Sequence, residues 1–198
     1  MKHLDDKKLK HVEYRIKQYF TSRVIQTKQP KKNVEFFLIN ANNSLMSAKA
    51  LFDLSTNKDF QSYTHYEGLK GFLWVINASY YSMFYMVRAL LAAKGVLIKS
   101  DLSVHSVTFD ALIYFFYLNG NLEKHFFEIY ADAQEEASEL LGKRKADEIV
   151  LDYYFEKDKR STFTYETNEH AMQSKAKTSL DRAIKFQREI RKLIKKLP

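Results

Sequence analysis

Apolar positions recur about every 3.6 residues along most of the chain, so the elements they predict are helices. Residues 7–26 place Leu9, Val12, Ile16, Tyr19 and Phe20 on one face, with Lys, Arg and Gln opposite. The next stretch holds Pro30 and reads as a break, because proline disfavours helix in the residue before it. A second helix over 34–54 aligns Val34, Phe37, Leu38, Ala41, Leu45, Ala48 and Phe52. The period is lost over 55–71, which reads as a polar and aromatic connection. A helix over 72–93 follows and stops at Lys94-Gly95 in the manner of a glycine C-cap. Ser100, Asp101 and Ser103 offer N-caps for a helix running to Leu118, and Asn119-Gly120-Asn121 closes it. Residues 122–141 are amphipathic through Leu122, Phe126, Ile129, Ala133, Ala137 and Leu140, and Gly142 predicts a bend or break before a helical piece at 146–157. The last helix spans 168–197, with Met172, Ala176, Leu180, Ala183, Ile190, Leu193 and Leu197 inward.

Five Gly and two Pro are far too few for a strand-and-turn architecture. The pattern predicts an all-α protein, an up-and-down bundle of four to five helices, with an extra N-terminal helix. Pro30 divides residues 1–33, an N-terminal helical extension, from a bundle domain over 34–198.

The segment 72–93 is apolar on almost every side, so it requires either other helices or lipid around it. Asn77, Ser79, Ser82 and Arg88 interrupt it. An arginine near a helix centre costs roughly 2.5–3.5 kcal/mol even on the lenient insertion scale, and no second span exists to shelter it. The centre of a bundle is the better surroundings, and no membrane role is expected. The absence of cysteine excludes disulfides and thiolate metal sites. A formal charge of +8 suits a phosphate-rich partner without requiring one. The charged opening, Met1 to Lys8, lacks the apolar run of a signal peptide, which predicts a cytoplasmic protein.

Four groups of residues carry candidate chemistry. Arg88 follows Phe84 by one helical turn and either packs its stem inward toward a carboxylate or presents its planar fork of donors to a phosphate. His105 falls near a helix start, where free N–H groups hold anions, and Lys99 and Ser100 lie just before it. Lys157, Lys159 and Arg160 are interleaved with Phe163 and Tyr165, a composition that suits single-stranded nucleic acid or simply a solvated loop. His170 is placed on the first turn of the last helix. The acidic run Asp132, Glu135, Glu136 and Glu139 has helical spacing, but no Glu-x-x-His motif accompanies it, so it reads as a solvated face or as salt-bridge partners for lysines. No metal site, cofactor, phosphate-cradling glycine loop or nucleophile motif is expected.

Ala78, Tyr80, Tyr81, Met83, Phe84, Arg88, Ala89, Leu90, Leu91, Lys94 and Gly95 resemble the signature helix of HEPN domains (higher eukaryotes and prokaryotes nucleotide-binding). Lys99, His105, Ser106 and Val107 resemble a downstream segment of that family, without its glycine. Arg160 and Tyr165 resemble its arginine-to-tyrosine stretch before the last helix. The resemblance covers 34–196. It implies a bundle of four or five helices, frequently a homodimer, acting in toxin–antitoxin or defence systems beside a minimal nucleotidyltransferase partner. It further implies binding of nucleotide or RNA, with Arg88, Lys99, Ser100, His105, Arg160 and Tyr165 at the cleft.

Many members cleave RNA without metal through Arg-x4-6-His, and no arginine here is followed by histidine at that spacing. Nine residues separate Arg160 from His170, and Lys99-x5-His105 has the spacing with lysine in place of arginine. An endoribonuclease using His105 or His170 as base and Arg160 as phosphate clamp is the second expectation. A non-catalytic homodimeric interaction protein, burying Tyr63, Tyr66 and Phe72, is the third.

Overall fold

The segment with the least polar sequence is also the most enclosed. In a computed structural model of the chain, Val75, Ile76, Ser79, Met83, Met86, Val87 and Leu90 of Phe72–Ala93 are all at most 1% exposed. At about 100° per residue these positions form one broad face of the helix, while Trp74 and Tyr81 on the opposite side are 53% and 39% exposed. The structure describes residues 6–99, 103–154 and 162–197, with side chains described for 9–99, 103–140 and 170–197.

The described residues form an all-α helical bundle with seven α-helices and one two-stranded ribbon. In chain order these are α1 (Asp6–Thr21), β1 (Ile25–Gln26), α2 (Val34–Thr56), α3 (Lys58–Thr64), α4 (Phe72–Ala93), β2 (Leu97–Ile98), α5 (Val104–Leu112), a π-helical turn (Ile113–Tyr117), α6 (Lys124–Tyr154) and α7 (Thr162–Lys196). Among the described residues no helix is long and apolar enough to cross a membrane. Two compact units share these helices. The first holds Met1–Asn42, Met83–Ala131 and Phe186–Pro198, and the second holds Asn43–Ser82 and Asp132–Lys185.

In the first unit α1 packs on α5 and the π turn, burying Val12 and Ile16. Phe20 meets Tyr114 and Phe115 edge-on, both at 6.3 Å. Tyr130 of α6 stacks on Phe186 of α7 at 5.7 Å, and Phe109 lies 5.1 Å from Phe127. The buried Gln187 donates to the Ala41 carbonyl at 2.7 Å, tying α7 to α2. The ribbon pairs Ile25 with Ile98 and Gln26 with Leu97, antiparallel. Two flanking bonds extend it, Lys99 N–H to Val24 O at 2.7 Å and Gln29 N–H to Gly95 O at 2.9 Å. Gly95 closes α4 at φ +75°, a left-handed value that glycine adopts without cost, and so fills the C-cap role its position predicts.

The second unit contains an element the period does not reveal. Residues 58–64 lie in the expected connection and form α3, capped by Asn57, whose side chain accepts from Phe60 N–H at 3.0 Å. The buried Gln61 amide donates to Leu54 O at 2.7 Å and to Leu69 O at 3.0 Å and accepts from Gly68 N–H at 3.2 Å. A polar side chain, not an apolar stripe, is therefore what anchors this helix. In the acidic run of α6, Arg182 lies 3.5 Å from Glu136 and 3.9 Å from Asp132, and Ser179 donates to Glu136 at 2.8 Å.

Other boundaries also move. Gly142 does not break the helix, since α6 continues to Tyr154. The last helix begins at Thr162, six residues before its expected start, which puts His170 beyond the first turn. Ser103 takes the N-cap position of α5 at φ 62° and makes no side-chain cap bond. The helix it opens passes into a π turn, where Leu118 N–H reaches Ile113 O at 2.9 Å. Of the aromatics proposed as an interaction surface, Tyr63 is 84% exposed and Tyr66 60%, but Phe72 is buried beside Phe52.

Candidate functional site

Arg88 and His105 come together in the first unit, on α4 and α5. One helical turn separates Phe84 from Arg88, so both lie on one face of α4, and the guanidinium carbon sits 6.0 Å from the Phe84 ring. Phe37 of α2 approaches the same guanidinium at 4.8 Å, and its ring stacks on Tyr85 at 6.4 Å. His105 covers Phe84, with ring centroids 4.3 Å apart. The Ile98 carbonyl of the ribbon accepts a long bond from Arg88 Nη2 at 3.4 Å. The result is a cation between aromatic rings, with an imidazole alongside and a strand carbonyl at its edge.

The electrostatics of this cluster are unbalanced. Arg88 is half-buried, and among the described residues it has no carboxylate partner. Burial lowers its pKa, opposed by the phenols of Tyr130 and Tyr85, yet a guanidinium stays protonated at any ordinary pH. A buried charge normally carries a counter-charge, since removing it from water is costly. The two aromatic faces offset part of that cost through cation–π attraction. What they leave unfilled are donors of the planar fork, which match a phosphate or carboxylate oxygen pair. His105 is held below the ordinary histidine pKa, first by burial and then by the charge of Arg88, so its imidazole is neutral near pH 7.

The remaining expected site residues are placed as follows. Lys99 is exposed one residue beyond β2, and its backbone N–H is part of the ribbon. Ser100 and Arg160 lie outside the described residues, and Tyr165 is described only as backbone within α7. His170 is exposed on α7, in the second unit. Sequence reasoning gives no site role to Phe37, Tyr85 or Tyr130. Only the contact of Phe84 with Arg88, at i and i+4, has a readable signal. Among the described residues no cluster of His, Asp and Glu could hold a metal ion. Comparison with protein-family models, curated proteins and solved structures returns no match to this chain.

Proposed function

We propose that the chain is a HEPN-like helical protein that binds the phosphate group of a nucleotide or RNA at Arg88 and His105, within a toxin–antitoxin or defence system. The observation that carries the reading is the half-buried Arg88 with aromatic neighbours and no carboxylate partner among the described residues. A phosphate supplies the missing negative charge, and Phe37 and Tyr85 offer ring faces for a base. The resemblance of 78–95 to the HEPN signature helix supports the same reading from another side and points to a nucleotidyltransferase partner and a homodimer. Calorimetric titration with AMP at low salt tests it. Binding by the unaltered chain that drops at least tenfold in Arg88→Gln is the expected result, and equal binding by both would overturn it.

A metal-independent endoribonuclease is the second reading, favoured by His105 being held neutral beside a cation. A neutral imidazole accepts the 2′-hydroxyl proton as O2′ attacks phosphorus, and Arg88 stabilises the developing phosphorane charge. The 5′-oxygen then leaves with a proton from solvent, giving a 2′,3′-cyclic phosphate and a 5′-hydroxyl. Labelled RNA incubated with the protein and EDTA decides it: cyclic phosphate ends that disappear in His105→Gln support cleavage, and intact RNA rules it out.

A further inference from the structure

Acidic residues are distributed very unevenly along this chain. Residues 14–34 hold six basic residues and no Asp or Glu, and residues 68–100 hold four and again none. The β1–β2 ribbon is the place where these two acid-free stretches meet, pairing Ile25 with Ile98. Arg23, Lys28, Lys31, Lys32, Lys94 and Lys99 are all exposed on the ribbon and its flanks. None of Arg23, Lys28, Lys32, Lys94 or Lys99 has a carboxylate partner among the described residues. Lys177, Arg182 and Lys192 find acids within 4 Å elsewhere, but Lys17, Lys49, Lys58 and Lys175 also have no carboxylate partner among the described residues. What sets the ribbon apart is that both of its strands come from acid-free stretches.

Backbone strain coincides with the charge. Arg23 lies at φ 59° and Lys28 at φ 56°, in the left-handed region where glycine, asparagine and aspartate are at home and longer side chains are uncommon. Each carries a small conformational cost that a glycine would remove, at two of the positions that supply cations to the surface. The ribbon also leads directly to the candidate site, because Ile98, paired with Ile25, gives its carbonyl to Arg88.

We infer that the ribbon is a track for the backbone of single-stranded nucleic acid, whose chain continues from the exposed lysines to the Arg88 pocket. Exposed lysines act as point charges that neutralise successive phosphates, and the aromatic-lined arginine at the end of the track receives a phosphate with its base. This rests on the reading of Arg88 as a phosphate site. It adds that the ligand is a strand and not a free mononucleotide, and that part of the binding surface lies in residues 23–32, ahead of the stretch with the family resemblance. An acidic peptide or an anionic bilayer would also meet the cations, but neither has a use for the ring faces beside Arg88.

Fluorescence anisotropy with a 5′-labelled single-stranded RNA tests the track. The full chain is compared with Arg23→Gln/Lys28→Gln/Lys32→Gln, with the corresponding Lys28→Arg/Lys32→Arg variant, and with Arg88→Gln, helix content being checked by circular dichroism. The triple variant is expected to bind RNA at least tenfold more weakly at low salt. Its plot of log K against log salt should be shallower by about 0.7 for each phosphate that is no longer neutralised, with AMP binding unchanged. The arginine variant, keeping every charge, should retain the slope. An unchanged RNA affinity and slope in the triple variant overturns the track, as does ribbon-dependent binding of polyglutamate or phosphatidylserine vesicles with no binding of RNA. Loss of AMP binding in Arg88→Gln with RNA unaffected by the ribbon substitutions leaves the pocket and removes the track. The reverse pattern removes the pocket.

Discussion

Arg15 grips Asp110 with two parallel hydrogen bonds, Nε to Oδ2 and Nη2 to Oδ1, both 2.7 Å, and so joins α1 to α5. Tyr19 adds a longer bond to the same carboxylate at 3.3 Å. The Asp110 side chain is only 4% exposed and that of Arg15 is 44%, so water screens the pair from one side alone. Removing the arginine strands a buried carboxylate. Truncating one partner of a fully buried pair costs about 3–5 kcal/mol, and the open side of Arg15 reduces this to about 2–3 kcal/mol. Arg15→Ala should therefore lose about that much stability in urea unfolding. Arg15→Lys should recover only part, because an ammonium lacks the fork. A loss below about 0.5 kcal/mol would show that α1 is not held through this pair.

Arg88 should behave in the opposite way. A half-buried cation without an acid partner is a cost that binding offsets, and function-bearing positions commonly sit below the stability optimum. Replacing it by methionine keeps the stem packing among Phe37 and Phe84 and removes the charge. Arg88→Met is expected to raise stability by about 1 kcal/mol, on the scale seen when buried ions give way to hydrophobic residues, while abolishing AMP binding. Loss of stability together with binding would mark Arg88 as a structural residue.

How much of this was readable follows from the range of each interaction. The enclosure of α4 and the glycine stop at Gly95 are local, and a run of apolar residues ended by glycine announces both. The Phe84–Arg88 face is local as well. By contrast, Phe37 reaches Arg88 from another helix, and no pattern within α2 distinguishes it from the core residues Ala41 and Leu45. The ribbon escapes a period search because each strand has two residues and their partners are far apart in sequence. α3 escapes because its anchor is the amide of Gln61, which counts as polar in any hydrophobic pattern.

Gly95 links the end of α4 to the ribbon and allows a direct test of that corner. Its φ of +75° strains any other residue, and an added Cβ would lie 3.2 Å from the Gln29 carbonyl oxygen, a backbone atom with little freedom to yield. Gly120 offers the control, with φ +68° and nothing within 4 Å. Gly120→Ala should cost about 1 kcal/mol from conformation alone. Gly95→Ala should cost about 2 kcal/mol, with strain and crowding acting together. Hydrogen exchange should show faster exchange at the Gln29 and Lys99 amides in Gly95→Ala than in Gly120→Ala. Equal exchange in the two variants would mean that the ribbon does not depend on this approach.

His105 makes the site sensitive to pH, and the sign can be worked out. Burial, then the charge of Arg88, holds its folded pKa below the ordinary value of about 6.5 that the unfolded chain retains. As pH falls, the unfolded chain therefore takes up the proton first, and stability rises with pH across the interval between the two values. The contribution is complete above about 6.5 and is lost as pH falls through the folded pKa. Urea midpoints should decline on acidification below about pH 6.5 more in the unaltered chain than in His105→Phe, which keeps the ring contact with Phe84 at 4.3 Å in the native chain. The two residues are also coupled through charge, so Arg88→Gln should raise the His105 pKa in an NMR titration of its Cε1 proton. Saturating AMP, by neutralising Arg88, should raise it too, and binding near pH 6 should then be accompanied by proton uptake. An imidazole that titrates identically in all three states would separate His105 from the phosphate site and leave Arg88 to bind alone.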